Sequence, residues 1–245
     1  VGVADEYSET KLREVFEPMI ASGVPFLVTD VPTAELVKVA ANAFLATKIS
    51  FINSMAEIAE VSGADASKLA EAIGYDERIG NKFLRNGVGF GGGCLPKDIR
   101  ALRARAEELG VGQAVEYLKE IDKINLRRRE RVIELLEEEL GNLSQKRVLV
   151  LGAAFKPDSD DVRDSPALDI ALLAKSKGAD VAVHDPIALP GVARKHPELH
   201  TQQNLHAAFE KVDAVVLATE WKEYRELDPS VVSGLVRNKL IIDGR

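Results

Sequence analysis

From Lys146 onward, short apolar runs alternate with helix-patterned segments, and that alternation constrains the fold more than any other feature. KRVLVLG, ADVAVHDP, DAVVLATE and KLIIDGR each read as a buried strand. SPALDIALLAKSKG and NLHAAFEKV read as helices between them. Strands separated by helices imply a doubly wound parallel sheet, since a parallel neighbour is reached only by crossing over a sheet face.

The preceding part has a different texture. SETKLREVFEPMIAS fits a short helix capped by Ser8 and closing near Pro18, and VPFLVTD (24–30) reads as a strand. The run from Thr33 to Gly63 is apolar on nearly every side, as in a core helix. DASKLAEAIG carries an Asp cap and a closing glycine, and PKDIRALRARAEELG opens on Pro96. The 112–141 segment has helical periodicity and no internal breaker, which predicts one helix of about 28 residues, roughly 40 Å long. Such a helix can join two domains or form a dimer face. The expected fold is therefore α/β: a helical region, a long connecting helix, then a Rossmann-like sheet domain.

Three places carry candidate chemistry. In 87–98, GVGFGGGCLPKD, a glycine run leads into Cys94, the single cysteine of the chain. GVGFGG matches G-x-G-x-x-G literally, but NKFLRN before it has no strand character, so a dinucleotide turn is not expected here. Cys94 lies two residues before Pro96, at the mouth of a helix whose N–H groups and dipole favour a thiolate. Lys97 and Asp98 stand in the first turn, so thiol, cation and carboxylate converge; the alternative is a small buried cysteine beside a flexible loop. Lys38 and Asn42, four residues apart, share one face of an otherwise apolar helix. A buried ammonium needs a partner, although Lys38 could also snorkel to the surface. The third place is VLGAAFKPDSDDVRDSP (150–166), a strand followed by a polar loop where α/β sheets bind ligands. Lys156 and Arg163 are its candidate phosphate partners, unless the loop is simply solvated.

Charge and cysteine usage exclude other classes. A net charge of −7 gives no case for nucleic acid or an anionic membrane. No apolar run approaches the about 18 residues of a membrane span, and no signal peptide is visible at the start. One cysteine forms no internal disulfide, which fits a reducing cytoplasm. No metal site is expected. Val1 and the closing IIDGR both read as cuts in a longer chain.

ELVKVAANAFLATKISFIN, RIGNKFLRNGVGFGGGCLPKD, GAAFKPDSDDVRDSP and IIDGR together resemble the UDP-glucose/GDP-mannose dehydrogenase family, over nearly the whole chain. The resemblance implies three stretches: 1–32 as the end of an NAD-binding domain, 33–140 as a helical dimerisation region, and 141–245 as a UDP-sugar-binding α/β domain. It implies a two-step, NAD-dependent oxidation of a sugar's primary alcohol to a carboxylate, with the NAD fingerprint upstream of Val1. Cys94 would carry the thiohemiacetal and thioester, Asp98 would act as base through water, and Lys38 and Asn42 would stabilise the oxyanion. Phe83, Leu84, Arg85, Asn86, Gly87, Phe90 and Gly91 would contact the nucleotide sugar. Phe155 and Lys156 would hold its UDP, joined by Arg245. Lys97 and Arg163 would reach NAD, and Arg78 would cross into the neighbouring subunit of a homodimer. Within the family, RIGNKFL favours UDP-glucose over GDP-mannose. A non-catalytic sugar-nucleotide-binding and dimerisation module is the reading of this chain taken by itself.

Overall fold

The computed structural model describes residues 1–245. Its first half is helical: α1 (Glu6–Ala21), α2 (Val31–Ser62), α3 (Ala66–Gly74) and α4 (Leu95–Glu108). A 3-10 turn (Gly112–Val115) then leads into α5 (Tyr117–Leu140). The second half holds β1 (Arg147–Leu151), α6 (Pro166–Ser176), β2 (Asp180–His184), α7 (Leu189–Lys195) and β3 (His200–Thr201). It continues through α8 (Leu205–Ala208), β4 (Ala214–Leu217), α9 (Lys222–Arg225), α10 (Pro229–Ser233) and β5 (Ile241–Asp243). The strands form one sheet in the order β3-β2-β1-β4-β5, parallel at every pairing, as the alternation predicts. The order reverses between β1 and β4, and the C-terminal strand ends there form the crevice in which such sheets take ligands. No helix is long and apolar enough to cross a membrane.

Several local expectations are corrected. Residues 24–30 form no strand; Thr29 makes a single bridge to Gly2, because no further strand lies alongside. Helix α1 is capped by Asp5, whose carboxylate accepts from Ser8 N at 2.7 Å, and Pro18 lies inside it. The long segment is two elements, with α5 itself 24 residues, about 36 Å. Strand β3 was not anticipated: two residues carry no readable period.

The larger correction concerns α2. Asp30 caps it and Gly63 ends it in the left-handed region, but it is not a core helix all round. Ala43, Ala46, Ile52, Ala56 and Ala59 are buried, while Val37, Phe44, Phe51 and Ile58 lie exposed along another face. Within one chain nothing covers that stripe.

A cluster of 34 buried residues fills both faces of the sheet and takes in Val132, Ile133 and Leu136 of α5. A smaller cluster gathers Ala43 and Ala46 of α2, Phe90, Ile99 of α4, and Leu118 and Ile121 of α5. The core of the sheet half therefore reaches back past residue 141. Helix α5 is a shared wall, with one end in each core.

Candidate active site

Residues 87–93 cross from one core to the other. Val88 packs with the sheet cluster and Phe90, two residues on, with the helical one. Between them Gly89 has φ +94°, and a Cβ there would lie 2.3 Å from Asn125 Oδ1, so only glycine fits. Asn125, fully buried on α5, holds the Phe90 peptide on both sides: its Oδ1 accepts from Phe90 N (2.6 Å) and its Nδ2 donates to Phe90 O (3.0 Å). One turn later, Arg129 donates to the same carbonyl (3.0 Å) and pairs with Asp169 of α6. Asn53 of α2 accepts from Gly87 N (2.8 Å). None of these supports was read from the sequence. The available signal was a run of polar residues, INLRRRER, along a helix with apolar spacing.

The far side of the loop meets the sheet half. Gly92 N donates to Arg163 O (2.9 Å), and a Cβ on Gly92 (φ +83°) would strike the Phe155 ring at 2.9 Å. Val88 N donates to Gly244 O (3.3 Å), beside Arg245. The motifs at 87–98, 150–166 and 243–245 are thus brought together, although up to about 150 residues separate them.

Cys94 is exposed and is the N-cap residue of α4, with Asp98 N donating back to its carbonyl (2.9 Å). Asp98 is buried and is the anion of the site. Lys38 and Asn42 both donate to its Oδ2, Asn42 at 2.6 Å, and Lys97 donates to Oδ1 at 2.5 Å. The Lys38 ammonium above all, then that of Lys97, holds the Asp98 carboxyl well below the usual carboxylate range. In return, Asp98 holds Lys97 above its ordinary value. The i, i+4 pair on α2 therefore shares one partner. The Lys38 side chain is 60% exposed, in line with the snorkelling alternative, while its ammonium tip is tied to Asp98.

Arg163 packs directly over Gly93, its guanidinium gripped by both oxygens of Asp161 (2.9 and 2.7 Å). Gly93, Lys97 and Arg163 line a cleft of about 440 Å³ that also borders Ser165, Lys195 and His196. Arg245 Nε donates to Ala218 O (2.7 Å), an NH2 reaches Phe155 O (3.4 Å), and Glu220 lies 3.1 Å away. The exposed Lys156 ammonium stands 5.5 Å from the Phe155 ring centroid.

The other expected contacts divide. Phe83 is half exposed and holds φ +63°, a strained state for an aromatic residue. Arg85 is exposed and Asn86 half-buried beside it. Gly91 packs against the Asp164 carbonyl and Pro166, leaving no open face there for a ligand. Leu84 and Phe90 bury their side chains in the helical core with Ile52 and Ile99 respectively, which leaves their backbone as the part that could meet a ligand. Arg78 is exposed and paired with Asp76 of its own chain (2.6 Å).

A thiol at a helix mouth, between a helical lobe and a doubly wound lobe, defines a two-lobed α/β protein with an exposed thiol at the seam. The models of the UDP-glucose/GDP-mannose dehydrogenase family match both lobes, the central domain over 32–127 and the UDP binding domain over 149–245. UDP-glucose 6-dehydrogenase TuaD of Bacillus subtilis (strain 168) is 40% identical over 248 residues, covering all of this chain and 52% of the relative. A UDP-glucose 6-dehydrogenase of Pseudomonas aeruginosa is 39% identical over 256 residues, again covering the whole chain and 55% of the relative. A solved UDP-glucose dehydrogenase from the archaeon Pyrobaculum islandicum superposes with a TM-score of 0.89 at 38% identity, covering all of this chain and 54% of that one. The chain belongs to the UDP-glucose/GDP-mannose dehydrogenase family. It spans about half the length of the curated relatives it matches.

Proposed function

We propose that this chain is the thiol-bearing, nucleotide-sugar-binding part of an NAD-dependent UDP-glucose 6-dehydrogenase. The observation that carries the reading is Cys94 opening α4 one turn ahead of a buried Asp98 that fixes Lys38, Asn42 and Lys97. Relatives at about 40% identity bear that activity in their names.

The substrate's C6 alcohol is first oxidised to an aldehyde. The Cys94 sulfur adds to the aldehyde carbon and its proton goes to the carbonyl oxygen, giving a thiohemiacetal that cannot diffuse away. Loss of a second hydride and a proton leaves a thioester. Water attacks the thioester carbon, the C–S bond breaks, the sulfur regains a proton, and the carboxylate departs. NAD supplies the hydride acceptor for both oxidations, and the cations Lys97 and Arg163 beside the cleft at Gly93 fit an anionic cofactor and would hold it.

Lys38 and Asn42 retain further N–H donors and stabilise negative charge on the reacting oxygen. Asp98, which the resemblance makes a base acting through water, fits a positioning part better. A carboxylate held by two ammonium groups and an amide is a weak proton acceptor, so Asp98 positions those donors. Lys156, Arg245 and the exposed Arg85, beside the Phe155 ring, form a cationic rim at the strand ends that suits a diphosphate.

The stripe Val37, Phe44, Phe51 and Ile58, spaced by seven residues, supports a homodimer through α2. By itself the chain is expected to dimerise and bind UDP-glucose without forming NADH. Titration calorimetry with UDP-glucose and GDP-mannose tests the reading. Tighter binding of GDP-mannose, or no binding of either, defeats it.

A further inference from the structure

Asp185 lies immediately beyond β2 and is 2% exposed. In sheets that bind a dinucleotide, an acid at the end of the second strand faces a ribose, and the turn after the first strand offers its amides to a pyrophosphate. Asp185 has the chain position of that acid, yet it turns inward. Its Oδ2 accepts from Ala153 N (2.7 Å), Ala154 N (3.1 Å) and the Trp221 indole N–H (3.1 Å). Its Oδ1 accepts from Ile187 N (2.9 Å) and Ala188 N (2.7 Å).

The carbonyls of the same turn are also taken. Ser165 Oγ donates to Ala153 O and Thr219 Oγ1 to Ala154 O, both at 2.6 Å. Side chains thus meet the turn from both sides. The carboxylate stands where the turn's own amides would otherwise receive an anion.

We propose that Asp185 is a specificity-determining positioning residue: an internal anion that closes the turn after β1 to dinucleotide phosphates. The domain is then left to hold a nucleotide by the side chains that follow the turn. Phe155 is the next residue, Lys156 the one after, and Arg245 is tied to the Phe155 carbonyl. This rests on the reading that a UDP-sugar binds at these strand ends.

The test uses the 245-residue chain and two variants, Asp185→Asn and Asp185→Ala. The asparagine keeps the volume and one oxygen, but it must aim an NH2 either at the 153–154 amides or at the 187–188 amides. Hydrogen exchange measured on the turn, emission from the single tryptophan, and titrations with UDP and NAD are the readouts. In the unaltered chain the 153–154 amides exchange slowly and NAD neither protects them further nor shifts Trp221 emission.

In Asp185→Asn the turn loses protection while β1 keeps its own, emission moves to the red, and UDP affinity falls about tenfold. Val192→Ala, a core change in α7, serves as the control; at an equal loss of Tm it leaves UDP affinity unchanged. Three results overturn the proposal: unchanged protection in both variants, equal loss of UDP affinity in the control, or NAD protecting the turn of the unaltered chain. Absence of UDP binding to the unaltered chain, with the exchange pattern as stated, defeats the nucleotide-sugar reading and leaves the closed turn standing.

Discussion

The two lobes solve the problem of burial differently. The sheet lobe closes on itself, with 34 buried residues in one cluster on both faces of five strands. The helical lobe buries clusters of six and three residues, leaves α1 with no buried residue, and exposes a stripe of large apolar side chains on α2. A domain that satisfies its own apolar surface draws its stability from itself. One that does not depends on what it touches, and here much of that contact is the shared helix α5.

This contrast can be broken in several ways. Leu149→Ala, in a fully buried position of β1, should have the largest effect, about 2–5 kcal/mol of the sheet lobe's stability, read from Trp221 emission in denaturant. A loss under about 1 kcal/mol would mean the core is looser than it looks. Next comes Asn125→Ala, which strands the Phe90 N–H, leaves its C=O to Arg129 alone, and should cost about 1–3 kcal/mol. It should also raise the rate of Cys94 alkylation by iodoacetamide, because the segment leading to Cys94 is no longer held; an unchanged rate would separate the clamp from the thiol.

Phe44→Glu combined with Phe51→Glu should abolish the proposed α2 dimer, leaving monomer in sedimentation equilibrium; an unaltered chain that is itself monomeric would remove the dimer from the proposal. At concentrations where both proteins are monomeric, the double variant should change the unfolding free energy by no more than the about 0.5 kcal/mol typical of surface changes. If these variants unfold instead, the stripe is part of the monomer's own stability.

The smallest effect concerns pH. His184 is buried, with its Nδ1 against Tyr224 OH (2.7 Å) and with Glu223 and Asp185 nearby; burial holds it below its ordinary 6.5. The unfolded chain therefore binds the proton more readily, so stability present above about pH 6.5 is lost as pH falls below it. Tm should decline from pH 7 to 5.5, and His184→Gln should flatten that slope.

What could be read beforehand follows the range of the interactions. Four of five strands, α6, and the ends of α2 announce themselves through local period and capping chemistry. Cys94 at a helix mouth was visible because Pro96 marks the first turn. The convergence of Lys38 and Asn42 on Asp98 was not, since those contacts join residues 60 and 56 positions apart. Asn125 under Phe90 and Asp185 under the β1 turn were hidden for the same reason. The exposed face of α2 misled for a different one: apolar content shows that a surface wants cover, but not whether the same chain provides it.

Val88 and Phe90 are anchored on opposite sides of the seam, so the peptide between them works as a stitch. Swinging the lobes apart would pull one anchor out of hydrocarbon, at about 1.5–3 kcal/mol for a side chain of that kind. Small molecules then have a path to the sulfur that needs no such opening, along the flank where Cys94 is already bare.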